Sequence, residues 1–224
     1  MVSKQLDKAV AWGVPAAREP RWPASLAVGA AVALTVTLPN PLVFGRWVLL
    51  VVEAVLVVPI TIAFPFRHQD EPTAVRWLAL VCVAVAEVAN LISLGLLVQH
   101  ILNGGSATGR QLVVAAIQIY VTNVLRFGLW FWELDRGGPG QRMQANHRHP
   151  DFLFPQMVTP EAAPDNWTPS FVDYLYVSST NASAFSPTDT MPLSVAAKLL
   201  MLVEATAAVL TVAIVAARAI NILK

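Results

Sequence analysis

The stretch WLALVCVAVAEVANLISLGLLVQHIL, residues 77–102, decides the fold because it is long, apolar and almost free of charge. Its one acidic residue is Glu87, and it contains no lysine or arginine. About 20 apolar helical residues cross a hydrocarbon core about 30 Å thick. Lipid leaves unpaired backbone groups unsatisfied, and the run lacks the alternation of a membrane strand. The stretch therefore predicts a transmembrane α-helix.

Four further apolar runs have the same character, at residues 22–38, 47–66, 112–132 and 195–223. The breaks at residues 39–41, 67–73 and 103–106 are rich in proline, glycine or polar residues, which are unfavourable inside a helix. Tryptophan prefers the membrane interface, and five tryptophans mark span ends: Trp22, Trp47, Trp77, Trp130 and Trp132. The first run is short, so a signal peptide is its rival interpretation. We predict an all-α, polytopic transmembrane helical bundle of about five spans.

The composition supports this class and excludes others. Of the 224 residues 56% are hydrophobic and 13% charged, whereas about a quarter of the residues in an average soluble domain are charged. The formal net charge is +1 and no basic tract occurs, so we expect no nucleic-acid binding. Cys82 is the single cysteine, which rules out a disulfide framework. The spans carry no catalytic signature and no cofactor motif, so we expect neither an enzyme nor a bound cofactor.

The chain divides into an amino-terminal arm (1–21), four transmembrane helices (22–132), an extramembrane loop (133–169), a re-entrant segment (170–194) and a last transmembrane helix (195–224). Glycine, proline, amides and charges dominate the loop. His147, His149 and Asp151 form an H-x-H-x-D pattern there that could bind a metal. A solvated polar loop is the favoured interpretation, because no further ligand stands at a fixed spacing, and we predict no metal site.

Four ionisable residues lie inside predicted spans: Glu53, Glu87, Arg126 and Glu204. A charge near the bilayer centre costs about 2.5–3.5 kcal/mol, so each needs a reason to be there. Arg126 and Glu204 fall at similar depths on helices that can be antiparallel neighbours, which predicts a buried ion pair. We expect Glu204→Gln to lower stability by leaving Arg126 unpaired. The four groups either line an ion or proton path or act as interhelical partners that fix packing.

The segment FVDYLYVSSTNASAFSPTDTMPLS, residues 171–194, differs from the spans. Residues 170–179 predict a helix too short to cross a membrane, and hydroxyls, an amide and two prolines lead back to the last span. Irregular backbone at membrane depth is tolerated only where protein or water covers it. The pattern therefore predicts a half-helix that enters the membrane and returns as extended chain.

Aligned on Asp189 and Pro192, this segment resembles the pore loop of potassium channels, whose pattern is T-x-G-Y-G-D-x-x-P followed by the inner helix. The resemblance covers about residues 112–224 and implies a pore for monovalent cations. Because one such loop cannot enclose a pore, it also implies a homo-oligomer, by analogy a tetramer. The candidate pore-lining residues are Thr180, Asn181, Ser183, Phe185, Ser186, Thr188 and Asp189.

The filter itself departs from that family. Ser186 and Thr188 stand where potassium filters have glycines, and Pro187 lies between them. Glycine permits the alternating backbone of such a filter and proline does not, so we expect no standard potassium filter. The alternative function is a non-conducting structural or accessory membrane protein whose half-helix packs against its own bundle.

The carboxy-terminal half contains PDFLFPQM at residues 150–157 and the stretch TNASAFSPTDTMPL at residues 180–193. On these residues it is also similar to a family of bacterial membrane proteins of unknown function, which implies a multi-pass protein of the bacterial inner membrane. Its orientation stays open. The excess of lysine and arginine on one side of a five-span arrangement places the long loop in the cytoplasm, whereas pore-loop channels place this loop outside.

Overall fold

A computed structural model describes residues 19–39, 42–43, 47, 51, 73–103, 108–144, 149–164, 167–184 and 189–222. Its helices are α1 (Trp22–Thr37), α2 (Thr73–Leu102), α3 (Gly109–Leu134), α4 (Pro139–Arg142), α5 (Pro155–Val158), α6 (Phe171–Ala184) and α7 (Val195–Ile222). Short 3-10 turns lie at Asp135–Gly137 and Pro160–Ala162. The short strands β1 (Phe152–Leu153) and β2 (Met191–Pro192) pair antiparallel, with Phe152 opposite Pro192. The predicted all-α class is confirmed.

Within the described part of the chain, three helices are long and apolar enough to cross a membrane: Ala74–Leu102, Gly109–Gly137 and Val195–Ala217. They coincide with the runs predicted at 77–102, 112–132 and 195–223, and they make the chain compatible with a membrane protein. Helix α1 matches the run predicted at 22–38, but its 16 residues fall short of the roughly 20 that a span needs. Of the run at 47–66 the structure describes only Trp47 and Val51, so Glu53 lies outside the described residues.

Helix α3 is the centre of the bundle and packs against α1, α2, α6 and α7. A capping box starts it: Gln111 N donates to Thr108 Oγ1 at 3.3 Å, and Thr108 N donates to Gln111 Oε1 at 2.9 Å. These bonds satisfy backbone donors that a helix start otherwise leaves without partners. From Thr122 onward most of α3 is buried, polar residues included. The buried polar residues of α3 therefore lie in the interior of the bundle, among the helices that pack against α3.

The outer surfaces of the long helices are apolar. Large side chains stand well exposed on α1, α2 and α7, among them Trp22, Val88 and Leu202, with Leu202 62% exposed. Water-soluble monomers rarely expose contiguous apolar patches beyond a few hundred Å². The outer surface is thus suited to lipid.

One end of the bundle is closed by a compact layer, which we call the end cap and define as residues 135–142 and 149–164. It contains β1 and the short helices α4 and α5. Aromatic rings join it to the bundle: Phe152 lies 5.0 Å from the Phe131 ring and Phe154 5.3 Å from the Tyr174 ring, measured between centroids. The predicted polar loop at 133–169 is therefore in part a packed layer, because its aromatic side chains bury against α3 and α6.

Close packing of α3 and α6 yields a first prediction at Gly128. A Cβ added there would lie 3.1 Å from the Leu175 Cα and 3.2 Å from its Cδ1. Gly128→Val should therefore lower the free energy of unfolding by about 1–3 kcal/mol, as overpacking does. The measurement is unfolding of the purified protein in mild detergent. Gly95→Val is the matched control, because no atom of the described residues outside the nearby helix backbone lies within 4 Å of the Cβ position at Gly95. Equal losses at both positions would contradict this packing.

Candidate functional site

Helix α6 runs beside the central helix from one end of the bundle toward its middle. At its start, the Phe171 ring packs edge-on against the Trp132 ring at 5.8 Å, near the end of α3. Further along, the Ser178 hydroxyl lies 2.7 Å from the Val124 carbonyl oxygen, deeper in α3. The chain then comes back to the end cap, where β2 pairs with β1 and Leu193 N donates to Asp151 O at 2.8 Å. Helix α6 and α3 are thus antiparallel neighbours.

The first turn of α6 is held by carboxylates from two parts of the chain. Phe171 N donates to Glu19 Oε1 at 2.6 Å, and Trp132 Nε1 donates to Glu19 Oε2 at 2.9 Å. Ser170 donates to Asp173 Oδ2 through both its amide and its hydroxyl, each at 2.8 Å. Negative groups at a helix start satisfy free N–H groups and favour the helix dipole. These contacts fix where α6 begins.

Asp135 links α6 to the end cap. Its Oδ2 accepts from the Tyr174 hydroxyl at 2.6 Å, and its Oδ1 accepts from Asp151 N at 2.7 Å. Arg136 lies 3.3 Å from the same carboxylate, and Arg142 stacks 5.0 Å from the Tyr174 ring centroid. Burial raises the pKa of the Tyr174 phenol well above its ordinary value. Tyr174 therefore keeps its proton and acts as a donor.

In the middle of α6, the side chains of Ser178 and Asn181 contact Glu204 on α7. Asn181 Nδ2 donates to Glu204 Oε2 at 2.7 Å and to Met201 O at 3.0 Å. Ser178 Oγ makes a short contact with Glu204 Oε1 while also lying against Val124 O. Glu204 is fully buried, and Ser178 and Asn181 are nearly so. We call Ser178, Asn181 and Glu204 the inner polar cluster.

Helix α3 extends this polar interior toward α2. Asn123 Nδ2 donates to Glu204 O at 3.3 Å, and Asn90 Nδ2 donates to Ile119 O at 3.4 Å. Glu87 is buried on α2 one turn before Asn90, whose side chain interacts with the Glu87 carboxyl. The positive charge of Arg126 acts on Glu87, and Glu87 in turn acts electrostatically on Glu204. Among the described residues, Glu87, Glu204 and Arg126 therefore lie in the middle of the bundle.

The predicted Arg126–Glu204 ion pair is wrong for the described structure. The Arg126 guanidinium donates to Ala86 O on α2, with Thr35 Oγ1 of α1 at 3.4 Å. Glu204 faces Ser178 and Asn181 instead. The Arg126 side chain points toward α1 and α2, and the Glu204 side chain points toward α6. Helix α6 packs against both α3 and α7, and the prediction from depth alone did not take this helix into account.

Helix α6 is longer than the predicted stretch at 170–179, since it ends at Ala184. Thr180, Asn181 and Ser183 were predicted to follow the helix as extended pore-lining chain, and all three lie within it. The Thr180 and Ser183 hydroxyls donate to α6 carbonyls, each at 2.8 Å in its shorter bond. These bonds to the preceding turn satisfy the two hydroxyls within α6.

Of the remaining predicted pore-lining residues, the structure describes one and leaves three outside the described residues. Asp189 is exposed, between α6 and β2. Phe185, Ser186 and Thr188 lie outside the described residues. The structure therefore brings together Asn181 and Glu204 from the predicted set, with Glu87 and Arg126 nearby.

Sequence reasoning missed Ser178, Asn123, Glu19 and Asp135 as structural partners. Ser178 and Asn181 stand three residues apart, the spacing that puts two side chains on one helix face, so their pairing with a buried acid was detectable. Glu19 is remote from α6 in sequence and gave no signal. Its role depends on the amino-terminal arm reaching the end of α3.

The H-x-H-x-D pattern gains no support as a metal site. No group of three potential metal ligands occurs in the part of the chain that the structure describes. His149 is exposed, and Asp151 Oδ2 accepts from Arg136 N at 2.9 Å. His147 lies outside the described residues.

Comparisons with protein-family models, curated proteins and solved structures found no match to this chain.

We predict that Asn181→Ala destabilises the protein. Two buried acceptors, Glu204 Oε2 and Met201 O, would lose their donor. A buried group without a partner costs about 1–3 kcal/mol, which should appear as a lower melting temperature in detergent. Ser183→Ala is the control, because that exposed hydroxyl bonds to its own helix. Indistinguishable melting curves for the two variants would refute the inner polar cluster as a stabilising contact.

Tyr174→Phe tests the link between α6 and the end cap. The variant removes one donor from the buried Asp135 carboxylate, and hydrogen bonds to charged groups contribute about 1.5–3 kcal/mol. We expect a loss of that size in denaturant unfolding. Tyr176→Phe alters an exposed tyrosine on the same helix and should have no effect. A loss at Tyr176 as large as at Tyr174 would contradict the assignment.

Proposed function

We propose that this protein is a multi-pass protein of the bacterial inner membrane whose α6, following loop and α7 form the pore module of a cation channel. In this proposal α6 is a re-entrant half-helix, since its 14 residues rise about 21 Å and fall short of the hydrocarbon core. The single observation that carries it is the course of the chain from the end cap to the middle of α3 and back.

The proposed channel is a homo-oligomer, with a tetramer as the arrangement suggested by analogy to pore-loop channels. Monovalent cations would pass the segment that follows α6, and Asp189 would attract them at the mouth. Long-range attraction by carboxylate groups is the ordinary means by which cation pores raise the local ion concentration. Ser186 and Thr188 in place of glycines argue against a filter of the standard potassium type.

A second candidate function is a non-conducting structural or accessory membrane protein. One observation favours it: Ser178 and Asn181 are satisfied within a single chain, by Glu204, Val124 and Met201. A half-helix held in this way needs no second copy to cover those polar groups. The two candidates differ in what they predict for oligomeric state and for ion flux.

Flux into liposomes that contain the purified protein separates the two candidates. The channel proposal predicts uptake of potassium or sodium above that of protein-free vesicles, and an oligomer in mild detergent. Asp189→Asn should reduce the uptake several-fold, whereas Glu161→Gln, at an exposed acid of the end cap, should leave it unchanged. A monomer that passes no cation under any gradient or voltage would overturn the channel and support the accessory protein.

A further inference from the structure

The Ser178 hydroxyl has one hydrogen, but its oxygen lies within hydrogen-bond distance of two other oxygen atoms, and each of these contacts needs a hydrogen. Its Oγ lies 2.7 Å from Val124 O, and it makes a second, short contact with Glu204 Oε1. A carbonyl oxygen carries no hydrogen, and an ionised carboxylate is an acceptor only. If Glu204 were ionised, the single Ser178 hydrogen would either be shared between the two oxygens or leave one of the two contacts without a hydrogen.

A proton on Glu204 resolves this shortage. Glu204 Oε1–H then donates to Ser178 Oγ, and the Ser178 hydroxyl donates to Val124 O. The other carboxyl oxygen, Oε2, accepts from Asn181 Nδ2 at 2.7 Å, and the second Asn181 hydrogen goes to Met201 O at 3.0 Å. Every hydrogen in the inner polar cluster then has one acceptor, as buried polar networks require.

The charges around Glu204 agree with a neutral acid. Ser178 and Asn181 face it from α6, and Asn123 reaches its backbone from α3. Tyr120 on α3 and Glu87 on α2 are the titratable groups within electrostatic reach of it.

Arg126 acts on Glu87 and donates to Ala86 O and Thr35 Oγ1, and none of these contacts is with the Glu204 carboxyl. No cation contacts the Glu204 carboxyl among the described residues. An isolated buried carboxylate is costly, and such a group is neutralised rather than left charged.

We propose that Glu204 is a buried proton-binding site that holds one proton between α7 and α6. The proton comes from water, converts the carboxylate to a carboxylic acid, and is stored in the hydrogen bond to Ser178. The site depends on the packing of α3, α6 and α7 and stands whether or not the protein conducts ions. It also reverses the expected effect of Glu204→Gln. Glutamine can donate to Ser178 and accept from Asn181, so it copies the protonated acid.

Infrared spectroscopy of the full-length protein in mild detergent at neutral pH tests this site. The wild type should show the C=O stretching band of a protonated carboxylic acid, and the band should shift in D₂O. Glu204→Gln should lower the intensity of the band by one carboxylic acid and keep the wild-type melting temperature. Glu161→Gln, the exposed control, should leave the intensity unchanged. An unchanged band in Glu204→Gln, or a loss of the whole band in Glu87→Gln alone, would overturn the proposal.

Ser178→Ala gives a second test that does not require the Glu204 variant to fold. Alanine removes the acceptor of the carboxylic acid hydrogen, so the band should remain but move to higher wavenumber. A merely structural role for Ser178 would leave the wavenumber unchanged, and that result would contradict the proton's position. Absence of ion flux in liposomes has no bearing on either spectrum, so the two proposals fail independently.

Discussion

The structure depends on one constraint: polar groups that enter an apolar bundle must find their partners inside it. Helix α6 carries Ser178 and Asn181 into the space between α3 and α7, where water is excluded. Glu204 supplies the partner, with carbonyl oxygens of α3 and α7 completing the set. Without this match α6 would leave three buried polar side chains unsatisfied, at about 1–3 kcal/mol each. The position of α6 therefore follows from hydrogen bonding as much as from apolar packing.

Two attachments of different chemistry hold α6. At its first turn Glu19, Asp173 and Asp135 bind backbone or phenolic donors beside the end cap. At its middle the attachment is the inner polar cluster. Gly128 lets the helices approach closely between these attachments. A short helix fixed at two levels is a rigid support for the chain that follows it, and both proposed functions require such a support.

The long helices were predictable because membrane thickness and backbone hydrogen bonding leave few alternatives for runs such as 77–102. Their breaks were predictable as well, since α2 ends at Leu102 beside the glycine-rich stretch. The hydrogen-bond partners of Glu204 were not predictable from the sequence in this way. Depth along a helix is readable from sequence, but the direction in which a side chain points depends on which helices are neighbours. The end cap escaped prediction for a related reason: its polar composition conceals aromatic residues that pack against α3 and α6.

The most direct test of the account is the depth of α6 in a bilayer. Single-cysteine variants at Val172 and Ser183, made in a Cys82→Ala background, place a fluorophore on the exposed side of the first and last turns of α6. Quenching by nitroxides held at different depths in lipid then measures each position. The account predicts that position 183 lies about 16 Å deeper than position 172, from 11 residues of helical rise. Equal depths at the membrane surface would contradict it.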